Sequence, residues 1–282
     1  MKLVYTLYID KFEKPDMFCG YQSAEHLFDS LLLSSTVSSK LFEGCELYCN
    51  SKAAKLLKED GRTFCFSNIM VVLDELEQFL LPYNWAYAKI FTYSLQNKPF
   101  AHLDYDAIIC DGIPPQLLNK KLFFQQEENL QVNPFKYYIS VYNEAKRLST
   151  LPPGISCLPS FAMNMGIFGC TCNDSLSAVK KYCELAKSYI INQHDKHAEL
   201  YFKKEQSMFF EQLFIGSILT NADLKQGIDF DTFLDNNGKN KFLPNYRFSH
   251  FMRRSKRTEL VTNAIRSELE KLGLNKGKND MK

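Results

Sequence analysis

The sequence has no apolar run of the ~20 residues that a helical membrane span needs. Its first residues, Met1-Lys-Leu-Val-Tyr-Thr-Leu-Tyr-Ile-Asp10, form too short an apolar segment for a secretory leader and show no cleavage signal. Paired cysteine spacing is missing too. The nine Cys are odd in number and scattered, and Cys170-Thr-Cys172 and Cys45…Cys49 lack the spacing of a zinc site. Cys65, Cys110 and Cys157 sit in apolar runs, as reduced core thiols do. These absences predict a cytoplasmic protein with neither a disulfide framework nor a cysteine-rich metal site. No internal repeat is found. Net charge is only +2, and the basic residues lack an interleaved aromatic platform, which argues against a nucleic-acid partner.

What is present is material for one large core. The chain has 282 residues, 45% of them hydrophobic, with 23 Phe and 15 Tyr. Charge is unevenly placed. From His250 to Lys282 there are nine Lys/Arg and four Asp/Glu, a net of +5, which leaves the rest at −3. The expected organisation is a domain over residues 1–258 and a basic helix with a disordered tail over 259–282. Such a tail is most simply a solvated end. It can also contact anionic lipid, so peripheral membrane contact is a second expectation.

Periodicity predicts a repeating strand–helix order. Leu3 to Ile9 reads as a buried strand. Ser23 to Leu33 reads as a helix capped by Ser23. Cys45 to Cys49 is a second strand, followed by a helix from Lys52 to Glu59. Thr63 to Phe66 reads as a third strand, Asn68 to Leu81 as an amphipathic helix, and Trp85 to Gln96 as another. Further on, Leu122 to Gln126 is a strand, Phe135 to Leu148 a helix, and Phe161 to Cys170 a strand or loop close to a ligand. Helices follow over Asp174 to Gln193, Glu205 to Leu219 and Thr258 to Leu272, with a polar stretch from Asp229 to Asn245. The alternation predicts an α/β fold with a mostly parallel central sheet flanked by helices.

The stretch Pro99-Phe-Ala-His-Leu-Asp-Tyr-Asp-Ala-Ile-Ile-Cys110 stands out. An apolar run is interrupted by Asp104 and Asp106 and resumes at once. In one extended strand the two carboxylates would share a face, with Tyr105 on the other. Paired carboxylates at the end of a buried strand call for a cation between them, and hard oxygen ligands suit Mg²⁺ or Mn²⁺. An isolated Asp-x-Asp reads equally well as a strand cap facing water.

Ordered pieces around this stretch resemble nucleotide-sugar glycosyltransferases of the GT-A fold, and a bacterial family related to them. The resemblance covers residues 1–258. The helix Trp85-Ala-Tyr-Ala-Lys-Ile-Phe-Thr-Tyr93 runs into the Asp pair and carries Lys89, matching a basic residue of those enzymes. Asn164-Met-Gly-Ile-Phe-Gly169 looks like their acceptor-side segment, and Glu205-Gln206 like their acidic-Gln pair. His250-Phe-Met-Arg-Arg-Ser-Lys256 looks like the late His…Lys pattern of glycogenin-type transferases, with Met252 and Arg257-Thr258 where those carry Gly and Pro-Trp.

The resemblance implies a metal-dependent transferase moving a sugar from a nucleotide sugar, a UDP-sugar by preference, to a glycan, lipid-linked sugar or protein. It implies Mn²⁺ or Mg²⁺ held by Asp104, Asp106 and His250. Lys256, Arg253 or Arg254 would neutralise the diphosphate. Thr6, Lys89, His102 and Tyr105 would lie on the nucleotide-sugar side, and Asn164, Gly166, Glu205 and Gln206 on the acceptor side. Two rivals remain. A non-catalytic nucleotide-binding protein could keep the same scaffold. A haloacid-dehalogenase-type phosphotransferase also uses Asp-x-Asp, but on its first core strand and with Thr or Val where Ile108 stands.

Overall fold

A computed structural model describes residues 1–9, 19–77, 85–110, 113–132, 135–147, 151, 155, 157–197, 209–220, 230–232, 248–251 and 256–274. Glu205, Gln206, Arg253, Arg254, nearly all of the polar stretch 229–245 and the tail beyond residue 274 lie outside them.

Strand β1 (Lys2–Leu7) pairs in parallel with β2 (Cys45–Cys49) on one side and with β4 (Phe100–Leu103) on the other. The edge strand β3 (Asn68–Val71) runs parallel to β2. Beyond β4 comes β7 (Phe161–Cys170), antiparallel to β4 and to β6 (Leu122–Asn129), and then the short β8 (Phe230–Thr232). The sheet order is β3-β2-β1-β4-β7-β6-β8. Every strand of this sheet but β7 points the same way, so it is the expected mostly parallel sheet flanked by helices.

Strand alternation divides the core. Leu3, Tyr5, Leu7, Ala101 and Leu103 pack on one face against α1 (Ala24–Ser38) and α2 (Ser51–Asp60). Val4, Phe100 and Phe168 face α3 (Trp85–Ser94), α5 (Tyr137–Arg147) and α6 (Asn173–His197). A four-residue α4 (Pro115–Leu118) precedes β6. A π-helical turn, Phe209–Phe214, leads into α7 (Ile215–Thr220) on the second face. Ser23 caps α1 by accepting from the His26 N–H, and Asn50 caps α2 by accepting from Ala53. Thr258 caps the last helix, α8 (Glu259–Lys271), whose Val261, Ile265 and Leu269 pack with Leu32 and Leu33 of α1. No described helix is long and apolar enough to cross a membrane.

Three local expectations are corrected. Thr63 to Phe66 is not a strand. Its alternation serves aromatic packing: Phe64 stacks on Phe66 with centroids 6.0 Å apart, and Phe66 meets Tyr5 edge-on at 5.7 Å. The chain joins the sheet only at Ser67, whose N–H donates to Cys45 O at 2.7 Å. Asn68 onward is then β3 rather than a helix. All four residues of this edge strand are exposed, so its apolar run carries no alternation that would mark it. The third correction concerns Pro99 to Cys110, which is two strands. β4 ends at Leu103 and a turn follows, closed by the Ala107 N–H on Asp104 O at 2.9 Å. β5 (Ala107–Ile109) then pairs with β9 (Phe248–His250) in a separate two-stranded sheet.

Candidate metal centre

Asp104 and Asp106 converge through that turn, not through alternation along one strand. They lie beyond the carboxyl end of β4. Between β1 and β4 the chain changes direction, with α1 on one face and α3 on the other. In open α/β sheets this is where ligands bind.

β5 would present a bare backbone edge to α1 if nothing met it. Serines of α1 spaced four apart fill that need. Ser30 Oγ donates to Tyr105 O at 3.0 Å, Ser34 Oγ donates to Ala107 O, and Ser38 Oγ accepts from the Ile109 N–H at 2.9 Å. The other edge of β5 pairs with β9, setting Ala107 opposite His250. The Phe251 N–H donates to Asp106 O at 2.8 Å. A residue far along the sequence is thereby fixed beside the acidic pair.

Asp104, Asp106 and His250 each offer one ligand atom, and these atoms lie within 4.8 Å of one another. His250 Nε2 is 3.3 Å from Asp106 Oδ1 and 3.9 Å from Asp104 Oδ2. On its far side, His250 Nδ1 lies 2.7 Å from Gln125 Oε1. That contact holds the ring by its far nitrogen and turns Nε2 toward the carboxylates. A metal-ligating histidine is ordinarily held in this way, by an outer-shell partner on its other ring nitrogen. Adjacent ligands of an octahedral Mg²⁺ stand about 3 Å apart. The donor set and its spacing therefore fit a divalent cation.

β7 builds the wall behind this group. Its Met165, Gly166 and Ile167 stand opposite Gln125 alone, so the strand bulges there. The bulge aims two carbonyls into the site. Met165 O accepts from Lys89 Nζ at 3.2 Å, and Gly166 O accepts from the Asp104 N–H at 3.0 Å. A side chain at Gly166 would put its Cβ 2.2 Å from Gln125 Oε1 and 2.4 Å from His250 Nδ1, so only glycine lets that pair form. Asn164 is buried. Its amide donates to Glu128 Oε1 at 2.8 Å, and its Oδ1 accepts from the Gly166 N–H at 3.1 Å. Two of the four residues assigned by resemblance to the acceptor side, Asn164 and Gly166, thus shape the back of the candidate metal group, while Glu205 and Gln206 lie outside the described residues.

Lys89, from α3, is buried between two carboxylates. Its Nζ is 2.7 Å from Asp104 Oδ1 and also pairs with Glu211. Burial works against its charge, but Asp104 and then Glu211 outweigh burial and hold the ammonium well above its usual range. Burial raises the Asp104 carboxyl, with Lys89 opposing and Asp106 adding to the rise. Burial pushes Asp106 up as well, but Lys256 and His250 overcome it and hold the carboxyl well below the usual range. Lys256 Nζ pairs directly with Asp106 Oδ2 and lies 5.3 Å from the Tyr105 ring centroid and 5.5 Å from that of Tyr21.

His102, on β4, shares 3.0 Å with Thr6 Oγ1 through Nε2, and its Nδ1 lies 3.9 Å from Asp104 Oδ1. Burial, then the Lys89 charge, pushes it well below the ordinary histidine range, so it is neutral. Thr6 and His102 are both buried beneath the Asp turn. Tyr105 donates to Cys19 O at 3.3 Å. Asn50 uses its side chain on Ile9 and Ala53.

The sequence reading missed Gln125 and Glu211. Each had a signal. Gln125 is polar and fully buried in a strand, and Glu211 is an acid inside Phe209-Phe-Glu-Gln-Leu-Phe214, also fully buried. Glu211-Gln212 is a second acidic-Gln pair, six residues beyond Glu205-Gln206, and its acid pairs with Lys89 while Gln212 meets the Tyr138 hydroxyl. The π-helical turn carrying it is a feature often found at functional sites.

Among solved structures the chain is similar to mouse xyloside xylosyltransferase 1 in its apo form, at 13% identity and a TM-score of 0.42, covering 94% of this chain and 93% of that one. It is also similar to the inositol-1-phosphate CTP transferase of T. maritima, at 11% identity and a TM-score of 0.40, covering 95% and 96%. Neither likeness is close enough to carry a residue's role across. A search of curated proteins returns no match. A family model described as a family of unknown function (DUF6734) matches residues 1–272, and the chain belongs to that family.

Proposed function

We propose that the chain is a divalent-metal-dependent glycosyltransferase that takes its sugar from a nucleotide sugar, preferentially a UDP-sugar. The observation that carries this reading is the convergence of three ligand atoms. The Nε2 of His250, its other ring nitrogen held by Gln125, is turned onto the Asp104 and Asp106 carboxylates beyond the carboxyl ends of an α/β sheet. Asp104, Asp106 and His250 would hold Mn²⁺ or Mg²⁺, which supplies positive charge to the diphosphate as it leaves.

The chain's own residues do the rest. Gln125 holds the His250 ring by Nδ1, with Nε2 toward the acidic pair. Lys89 anchors Asp104 by one oxygen and leaves Oδ2 turned toward His250. Lys256 supplies an ammonium at the outer side of Asp106, where a diphosphate oxygen would accept its hydrogen bond. Neutral His102 and Thr6 floor the site without adding charge.

The test is calorimetric titration of UDP with and without Mn²⁺, on wild type and on Asp104→Asn/Asp106→Asn. Metal-dependent binding lost in the double variant, followed by hydrolysis of a UDP-sugar, supports the reading. Binding that survives the double variant overturns the metal assignment. Metal-dependent binding with no hydrolysis or transfer from any donor favours a nucleotide-binding scaffold without turnover.

A further inference from the structure

Lys256 occupies an unusual place. Its ammonium sits on Asp106 Oδ2, on a carboxylate whose other oxygen faces His250. The rings of Tyr21 and Tyr105 flank it. The residue that follows it is tied down: Arg257 Nε donates to Gly20 O at 3.1 Å, and Gln22 Nε2 donates to Arg257 O at 2.7 Å. The lysine is therefore held at Asp106 by its surroundings, while 15% of its side chain still reaches solvent.

We propose that Lys256 is a tethered counter-cation, occupying Asp106 until a diphosphate draws it away and so making metal and nucleotide bind as a pair. This rests on the reading of the site as a metal and nucleotide-sugar site. The physics is a competition for one carboxylate. A divalent ion entering beside an ammonium on the same Asp meets like-charge repulsion at short range. A diphosphate offers the ammonium an alternative anion within the reach of its flexible stem. Once the lysine has moved, Asp106 is free for the metal, and the metal and Lys256 then both hold the diphosphate. Each ligand raises the affinity of the other by the same factor, as linkage requires.

The experiment is Mn²⁺ titration of the full chain by calorimetry, with and without UDP, on wild type, Lys256→Gln and Lys256→Arg. Wild type should bind Mn²⁺ weakly alone and about tenfold or more tightly with UDP. Lys256→Gln should bind Mn²⁺ alone about tenfold more tightly than wild type, bind UDP more weakly, and lose most of the coupling. Its melting temperature should gain more from Mn²⁺ than the wild-type value does, because the metal replaces the missing cation. Lys256→Arg should keep the coupling. A Lys256→Gln protein whose Mn²⁺ affinity is unchanged or lower overturns the proposal but leaves the metal site standing, provided that wild type still shows metal-dependent UDP binding. If no variant takes up Mn²⁺ with or without UDP, both the proposal and the functional reading fall.

Discussion

Gly166 and Gln125 decide where the His250 ring can stand. Adding one methyl at Gly166 forces the ring or the carboxamide aside, since both would lie within van der Waals contact of the new Cβ. We expect Gly166→Ala to weaken Mn²⁺ binding about 10–100-fold, as loss of an outer-shell partner does, with an unchanged far-ultraviolet circular dichroism spectrum. Gln125→Leu should lose affinity over the same range by releasing the ring from its Nδ1 contact. A metal affinity that stays at the wild-type value in Gln125→Leu would separate His250 from the site.

Glu211 sets a pH dependence at the same scale. Burial, with Asp104 adding to it and Lys89 and His250 opposing, pushes its carboxyl up from 4.5 to about 7. Between those values the native chain keeps a proton that the unfolded chain has lost. Stability therefore falls as pH rises from 4.5 to about 7 and levels off above. Thermal melts of the metal-free protein across that window should show the fall, and Glu211→Gln should flatten it. An equal slope in both proteins would assign the effect to another group.

At the scale of elements, α1 acts as a third partner to the short β5. Ser34 is the central link, donating to Ala107 O and sharing 2.8 Å with the Tyr5 hydroxyl. Ser34→Ala strands both groups in a dry interior, and we expect a loss of about 1–3 kcal/mol in urea unfolding. A serine-rich helix looks unremarkable in sequence, since serine on a helix usually marks a cap or a solvated face.

The elements show what the sequence makes legible. The strands Leu3 to Ile9 and Cys45 to Cys49 were readable because they are buried on both faces. So was the helix beginning at Ser23, because its cap and apolar spacing agree. The edge strand β3 was not, because exposure on both faces removes the pattern that burial imposes. The break inside Pro99 to Cys110 was hidden for a different reason. Both strands it separates are fully buried, and the turn residues that join them, Asp104 to Asp106, were explained by chemistry before conformation. Their convergence could be anticipated. The partner strand that completes it could not, because β9 contacts β5 only through long-range pairing.

For the whole molecule, Asp29 plays the part of a clasp. Its carboxylate receives Arg62 Nη1 and, at 3.2 Å, Arg266 Nε from α8. Both Asp29 and Arg62 are nearly buried, but Arg62 also donates to Asp60, from Nε at 2.6 Å and from Nη2 at 3.0 Å, so removing Asp29 leaves the guanidinium partly paired. Asp29→Ala should cost about 1–2 kcal/mol, read by urea unfolding, with most of it from the Arg62 Nη1 that loses its acceptor, because Arg266 remains partly in solvent. Hydrogen exchange should quicken across residues 259–271 in the same variant. Unchanged protection there would mean that the Val261, Ile265 and Leu269 face holds α8 by itself.

The pairing of β5 with β9 also has a consequence in time. A chain leaving the ribosome can close β1, β2 and β4 early, yet Asp106 has no His250 before residue 250 has been made and no Lys256 before residue 256. Every nascent chain that ends between residues 106 and 249 carries the acidic turn without its histidine. On the proposed reading, affinity for a cation is gained at a late moment of the protein's own synthesis, so an unfinished copy would have no complete site with which to draw metal or nucleotide from the cell.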